Sequence, residues 1–140
     1  MINVLVITHG KLGEEMVKGA EMIIGQHAEV RTFQIPPDES QESLKVKVGI
    51  VIRELAGEGT TQKNGIIIMT DLLGGTPCNI ALPYTKLYDI EIISGINLYM
   101  LITAIIYKDK LPLKELAQKV LEVGQKNIAD IKKLFFGKMS

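Results

Sequence analysis

The stretch INVLVITHG, residues 2–10, decides the fold, because an apolar, strand-like run ends abruptly at a histidine and a glycine. An amphipathic helical pattern follows at once, over residues 12–24. In an open α/β sheet, ligands and reacting groups collect in the crevice outside the carboxyl ends of the strands. We therefore expect His9 to lie at a strand tip, in a position suited to chemistry.

A second segment has the same form. In GIIIMTDLLGGTP, residues 65–77, a continuous apolar run ends at Asp71 and is followed by a glycine pair. Such a run is typical of a strand that is covered on both faces, as in a parallel sheet. Thr76 is a good N-cap and Pro77 suits a first helical position, so a helix is predicted to follow. The two strand tips thus offer a histidine and a carboxylate.

The rest of the chain alternates in the same way. Gly25 is placed to end the first helix, and Pro36 and Pro37 end a strand over Val30–Ile35. Periodicity and capping next predict a helix capped by Ser40 or Asp38 and a polar loop over 57–65. After the glycine pair, a helix is predicted to bury Ile80, Ala81, Tyr84 and Leu87. A strand over Ile90–Ser94, a helix over Leu98–Tyr107 and a last helix from Leu113 to Ile128 complete the pattern. Asp130 to Phe136 fits either helix or strand.

Strands that alternate with helices at these lengths predict βαβ units with right-handed crossovers. We expect one domain over residues 1–140, of the three-layer α/β class, with a mainly parallel sheet in the order 2-1-3-4 and helices on both faces. In that order strands one and three are neighbours. His9 and Asp71 would then lie side by side at the switch point of the sheet.

Composition excludes several classes of function. Hydrophobic residues make up 46% of the 140 residues, charged residues 23%, and the net charge is +0, as in a globular protein with no basic surface for nucleic acid. No leader peptide is visible, and Leu98–Tyr107 is far shorter than the ~20 residues of a membrane span, so a soluble protein is expected. Arg31 and Arg53 are the only arginines, too few for bidentate grips on a free phosphorylated metabolite. Cys78 is the only cysteine, which excludes an internal disulfide or a cysteine metal cluster and suits a reducing compartment.

The two strand-tip residues suggest nucleophilic chemistry. A neutral imidazole is a nucleophile through the nitrogen that lacks a proton, and a carboxylate that accepts the other nitrogen's proton fixes the tautomer. Asp71 suits that role beside His9. A negative group on the exposed nitrogen would meet the helix that follows His9, the amides of Gly74 and Gly75, and the helix start at Thr76. By contrast, His27 follows a helix end and is expected at the surface, and Cys78 is expected to be a small packing residue.

Three motifs carry a resemblance to a known family. THG at 8–10, TDLLGGTPCN at 70–79 and SGINLYML at 94–101 resemble the mannose-type enzyme IIA of the bacterial phosphoenolpyruvate-dependent sugar phosphotransferase system. The resemblance covers essentially the whole chain in order and spacing. It implies a cytoplasmic phosphoryl carrier that needs no cofactor or metal, receives a phosphoryl group from the phosphohistidine of the protein HPr, and passes it to enzyme IIB.

The same resemblance assigns site residues. His9 falls on the phosphorylated histidine, whose Nε2 carries the group, and Asp71 falls on its partner carboxylate. Gly10, Gly74, Gly75 and the hydroxyl of Thr76 then surround the phosphoryl group. The chain departs from the family pattern at Tyr99, where a proline is expected after GINL. That departure bears on the local backbone and on partner fit rather than on transfer.

The resemblance also implies a homodimer whose subunits exchange a C-terminal strand, added antiparallel to the partner's sheet, which would protect an open edge. The candidate strand is Ile131 to Phe136, which ends in two adjacent aromatic residues. The alternative is that Asp130–Phe136 forms the last turns of a helix packed on its own domain.

Three other functions compete with this interpretation. The phosphocarrier subunit of a dihydroxyacetone kinase shares the chemistry but usually lacks the GGTP loop. A histidine phosphatase or mutase calls for an arginine just before the histidine, and Thr8 occupies that position. A regulatory small-molecule module would use the same crevice, although neither G-x-G-x-x-G nor G-x-x-x-x-G-K-[ST] is present to support nucleotide binding.

Overall fold

A computed structural model describes residues 1–137 of the chain. Its strands and helices alternate as the sequence predicts. The elements are β1 (Ile2–His9), α1 (Leu12–Ile24), β2 (Val30–Ile35), α2 (Gln41–Ala56), β3 (Gly65–Thr70), α3 (Thr76–Ala81) with a 3₁₀ turn (Leu82–Lys86), β4 (Ile90–Ile93), α4 (Leu98–Tyr107), α5 (Leu113–Lys126) and α6 (Ile131–Phe136).

The four strands form one parallel sheet in the order β2-β1-β3-β4, which confirms the predicted fold class and strand order. β1 is therefore paired on both sides. Ile7 is in register with Thr70 of β3, and His9 is in register with Ile35 of β2. The carboxyl ends of β1 and β3 consequently meet at one edge of the sheet.

Two apolar cores lie on opposite faces of the sheet, because successive side chains of a strand point to opposite sides. Val4 and Val6 of β1 pack with Leu101 and Leu116 under α1, α4 and α5. The alternate residues of β1, Leu5 and Ile7, pack under α2 and α3 on the other face. The second core also includes Leu44, Val48, Ile52 and Ile80. The sheet is thus the middle of three layers, and β1 is paired on both sides within it.

Two predicted helix signals are confirmed. The helix α1 ends at Gly25, which adopts the left-handed conformation with φ 85°. The side chain of Ser40, rather than that of Asp38, caps α2 by accepting the N–H of Ser43.

The structure corrects the helix predicted after the glycine pair. Gly75, not Thr76, occupies the N-cap position, and Thr76 is already the first helical residue. The helix ends at Ala81 because Pro83 has no N–H to continue the ladder. The chain then passes into the 3₁₀ turn, so Tyr84 stays buried while Leu87, predicted in the core, is 70% exposed.

Smaller differences occur elsewhere. Ser94 lies beyond β4, and Ile128 lies beyond α5 and is exposed. Ile23, near the end of the amphipathic helix α1, is exposed, whereas Ala20 is fully buried. Gly65 belongs to β3 rather than to the loop before it.

In the single chain the C-terminal segment forms a helix, which is one of the two alternatives that the sequence leaves open. The side chain of Asp130 caps α6 by accepting the N–H of Lys133. Leu134, Phe135 and Phe136 are all exposed, and so is Ile131. α6 therefore carries apolar side chains that the described part of the chain leaves uncovered. Over residues 1–137, no helix combines the length and apolar character required to cross a membrane.

Candidate functional site

His9 and Asp71 meet at the carboxyl edge of the sheet, at the place predicted from the two strand tips. The ring Nδ1 of His9 lies 2.9 Å from Oδ2 of Asp71. The backbone N–H of His9 donates to the same Oδ2, also at 2.9 Å. Oδ1 of Asp71 accepts the N–H of Leu72 at 2.8 Å. Each carboxylate oxygen is thus held by a backbone donor.

These contacts keep Asp71 ionised. Burial alone would raise the pKa of the Asp71 carboxyl, since its side chain is only 9% exposed. The hydrogen bonds from the backbone and ring of His9, with the N–H of Leu72, outweigh burial and lower that pKa below its ordinary value of 3.8. An ionised carboxylate can only accept hydrogen bonds. Nδ1 of His9 must therefore carry a proton, so in the neutral ring the lone pair lies on Nε2.

The free nitrogen of His9 is accessible. The His9 side chain is 52% exposed although its partner carboxylate is nearly buried. In the described residues, Nε2 has no hydrogen-bond partner. In its neutral form the ring is therefore an oriented nucleophile that an incoming group can reach.

The glycine pair passes beside this ring. Gly74 adopts φ +77°, and Gly75 is extended. A Cβ atom placed on Gly75 would lie 4.0 Å from Cε1 of His9. The predicted phosphoryl-binding residues Gly74, Gly75 and Thr76 therefore follow one another along a turn that borders the His9 ring.

Gly10 contributes in another way. It adopts φ +56°, and its N–H donates to the carbonyl of Ile35 at 3.0 Å. Its amide is therefore already bonded to β2. Any part that Gly10 plays at the site would come from the tight turn it makes between His9 and α1.

Thr8 is a residue that sequence reasoning did not assign to the site. Its side chain is buried, and its Oγ1 accepts the N–H of Gly13 at 2.8 Å in the first turn of α1. A Cβ on Gly13 would lie 3.1 Å from that oxygen, so only glycine allows this approach without adjustment. The bond fixes the positive end of α1 next to the tip of β1.

Thr70 and Cys78 were also missed as site residues. The Cys78 thiol donates to the carbonyl of Leu72 at 3.2 Å and lies 3.3 Å from the Thr70 hydroxyl. Cys78 was expected only to pack, and its side-chain bonds depend on the path of the 71–75 turn. Thr70 and Cys78 both lie in the segment TDLLGGTPCN, but their spacing in the sequence does not indicate that their side chains are in contact.

Other candidate residues lie away from the site chemistry. Arg31 pairs with Glu54, and Arg53 lies 3.7 Å from Glu58, so both arginines have acidic partners outside the site. His27 is 83% exposed and pairs with Glu21 at the end of α1, as expected for a surface histidine. Tyr99 is exposed in the first turn of α4, which Asn97 caps.

The fold and the site define a class of protein: a parallel α/β domain with an oriented nucleophilic histidine at its switch point. A sequence profile of the family described as PTS system fructose IIA component, EIIA-man, matches residues 3–121. The chain belongs to this family and is a mannose-type IIA component of the sugar phosphotransferase system.

Individual relatives agree with that assignment. The chain is 31% identical to the mannose-specific EIIAB component of Escherichia coli K12 over 94% of its own length and 40% of the relative. It resembles the crystal structure of component EIIA from Streptococcus agalactiae at TM-score 0.81 and 26% identity, covering 95% of this chain and 99% of the other. The mannose/sorbose-specific IIA subunit of Enterococcus faecalis gives TM-score 0.79 and 25% identity, covering 91% and 92%. The chain spans about two fifths of the length of the EIIAB relative that it matches.

Proposed function

We propose that this protein is a phosphoryl carrier of a sugar phosphotransferase system, and that His9 accepts and donates the phosphoryl group. The observation that carries the proposal is the contact between Nδ1 of His9 and Oδ2 of Asp71, which leaves Nε2 accessible with its lone pair. Family membership supplies the chemical context. The donor would be phospho-HPr and the acceptor enzyme IIB.

Phosphoryl transfer to His9 requires no proton to leave or enter the His9 ring. The Nε2 lone pair attacks the phosphorus of the donor's phosphohistidine, the donor N–P bond breaks, and its electron pair returns to the donor imidazole. Nδ1 keeps its proton throughout, so the phosphorylated ring gains positive character that the Asp71 carboxylate stabilises. The reverse sequence of bond changes passes the group to the acceptor. Catalysis of this kind depends on positioning and electrostatics rather than on covalent help from the protein.

The carrier should hold the phosphoryl group loosely. Arg31 and Arg53 are paired with acids outside the site, so neither serves as a clamp on the phosphoryl oxygens. Backbone amides of the turn at Gly74 and Gly75 and the positive end of α1 would supply weak stabilisation, about 0.3–1 kcal/mol for a helix end at the surface. Cations on the partner proteins would stabilise the transition state.

We infer the cellular setting and the assembly from the same proposal. The protein would act in the cytoplasm as one domain over residues 1–140, which the family match over residues 3–121 supports. It would form a homodimer, since the apolar side chains of α6 lie exposed in the single chain. Formation of an exchanged strand would require α6 to unwind when the second subunit binds.

The test is phosphorylation by the general proteins of the system. Incubation with enzyme I, HPr and phosphoenolpyruvate should add one phosphoryl group, seen by intact mass and lost in acid. Addition of the cognate enzyme IIB should discharge it. His9→Ala should abolish the mass increase, and His27→Ala, the control at the other histidine, should retain it. Phosphorylation that persists in folded His9→Ala protein would refute the proposal.

A further inference from the structure

We infer that Thr70 and Cys78 are positioning residues for the reacting histidine: together they hold the carbonyl of Leu72, and through it the Asp71 carboxylate. The inference deepens the proposed function and rests on it for its consequence in transfer. Neither residue touches the His9 ring, so neither is a catalytic residue.

The first step is the convergence of two side chains on one carbonyl. The Cys78 thiol donates to Leu72 O at 3.2 Å, and the Thr70 hydroxyl lies 3.5 Å from the same oxygen. The two side chains are also 3.3 Å apart. Thr70 is fully buried, and a buried hydroxyl requires a hydrogen-bond partner. The strand end and the start of α3 are thereby joined across the 71–75 turn.

The second step links Leu72 to the carboxylate. The N–H of Leu72 donates to Oδ1 of Asp71 at 2.8 Å, while Oδ2 faces both donors of His9. The carboxylate is thus held between two backbone N–H groups, one on each oxygen. If Leu72 turns, Oδ1 loses its donor, and the carboxylate is then held through Oδ2 alone by the backbone and ring of His9, which weakens the control of its orientation toward Nδ1.

The third step concerns the 71–75 turn itself, which the contacts of Thr70 and Cys78 hold in place. Leu72 and Leu73 are 60% and 87% exposed, and Gly74 follows them with positive φ. The turn therefore has little apolar packing of its own to hold it. Thr70 is fixed from the other side, because its carbonyl accepts the N–H of Ile96 at 3.0 Å. The Thr70–Cys78 pair connects Leu72 of this exposed turn to the buried end of β3, beside the contact that Asp71 makes with β1.

The experiment compares variants that remove or keep each donor. Thr70→Val and Cys78→Ala remove the donors with little change of volume, whereas Thr70→Ser and Cys78→Ser retain a hydroxyl. Thr103→Val is the control, since Thr103 is a buried threonine whose hydroxyl bonds the carbonyl of Tyr99 within α4. All five are compared with the unsubstituted chain by thermal unfolding, by ring ¹⁵N NMR of unphosphorylated His9, and by single-turnover transfer from phospho-HPr.

Thr70→Val and Cys78→Ala should stay folded, lower the fraction of His9 with its proton on Nδ1, and slow transfer about tenfold, equivalent to about 1.4 kcal/mol. The two serine variants should restore both readouts toward wild type, and Thr103→Val should change neither. Unaltered ring spectra and rates in folded Thr70→Val and Cys78→Ala would overturn the inference, and so would equal losses in the serine variants. The ring spectra need no phosphoryl donor, so they decide this inference even if wild-type protein fails to accept the group.

Discussion

One oxygen of Asp71, Oδ2, accepts the backbone N–H of His9 and lies equally close, at 2.9 Å, to the ring Nδ1 of the same residue. The carboxylate therefore fixes the main chain at the tip of β1 and the tautomer of the ring together. A side chain that paired only with the imidazole would leave the backbone N–H of His9 without this acceptor. Because of this double contact, a substitution that keeps the shape of the Asp71 side chain but removes its charge is an informative test of its role.

Asp71→Asn should keep the fold and slow phosphoryl transfer. An asparagine amide can present N–H groups to Nδ1, which favours the tautomer with its proton on Nε2 and removes the nucleophilic lone pair. The corresponding change in a serine-protease triad costs about 10⁴ in rate, and a carrier that receives an activated phosphoryl group should lose less. Rapid-quench transfer from phospho-HPr measures the loss. A wild-type rate in folded protein would remove Asp71 from the mechanism.

The lowered pKa of Asp71 predicts an acid-dependent stability difference. Because the folded pKa lies below the ordinary value of 3.8, ionised Asp71 stabilises the fold fully above that value, and the contribution is lost as pH falls through the lower, folded pKa. Thermal unfolding of wild type and Asp71→Asn from pH 7 to pH 2 should show curves that converge only in the acid range. A constant gap down to pH 2 would contradict the assignment.

Comparison of Gly74→Ala with Gly59→Ala should distinguish the cost of backbone strain to stability from an effect on phosphoryl transfer. Gly74 and Gly59 both adopt φ near +80°, and a Cβ on either would meet nothing within 4 Å. Alanine at each should therefore cost a similar amount of stability, about 1 kcal/mol, because of the left-handed backbone. Only Gly74→Ala should slow transfer, since Gly59 lies in the loop before β3. Equal transfer rates for the two variants would show that the turn geometry is irrelevant.

Leu73→Ser should weaken recognition of the phosphoryl donor. Leu73 is 87% exposed in the turn that borders His9, so a protein that reaches Nε2 is expected to cover it. The KM for phospho-HPr should rise about fivefold to tenfold, equivalent to about 1–1.4 kcal/mol and so below the level of an interface hot spot, with little change in Tm. The matched control is Leu87→Ser, at a residue 70% exposed near the amino end of β4. A similar KM in both variants would show that Leu73 is not covered.

Removal of residues 130–140 should convert the expected dimer into monomer or aggregate, because it deletes the exposed apolar residues of α6. Light scattering at tens of micromolar measures the mass. A milder pair, Leu134→Ser with Phe135→Ser, should act likewise, whereas Met22→Ser with Ile23→Ser on α1 should not. A monomeric full-length protein at that concentration would exclude strand exchange.

The features that depend on local pattern are the ones that the sequence predicts. Apolar runs locate the four strands, and the expected strand order 2-1-3-4, which the structure confirms, is enough to bring Asp71 beside His9. Gly25 and Ser40 end and begin helices as expected, because their conformational and capping preferences act within a few residues.

The predictions from sequence are wrong or incomplete where contacts between distant parts of the chain determine the position of a residue. Thr8 and Thr70 are strand residues by propensity, and nothing local indicates that their hydroxyls bond Gly13 and contact Cys78. Leu87 continues a helical period, but Pro83 changes the path of the chain and exposes it. The state of Ile131–Phe136 depends on what covers its apolar side chains.

The bond between His9 and Asp71 joins residues 62 positions apart in the chain. It can form only after β1 and β3 have paired, and such non-local strand pairing is slow compared with helix formation. A refolding chain with its helices formed but its central strands unpaired would lack the oriented ring. Competence for phosphorylation, sampled at intervals after dilution from denaturant, would therefore time the closure of the β1–β3 pair.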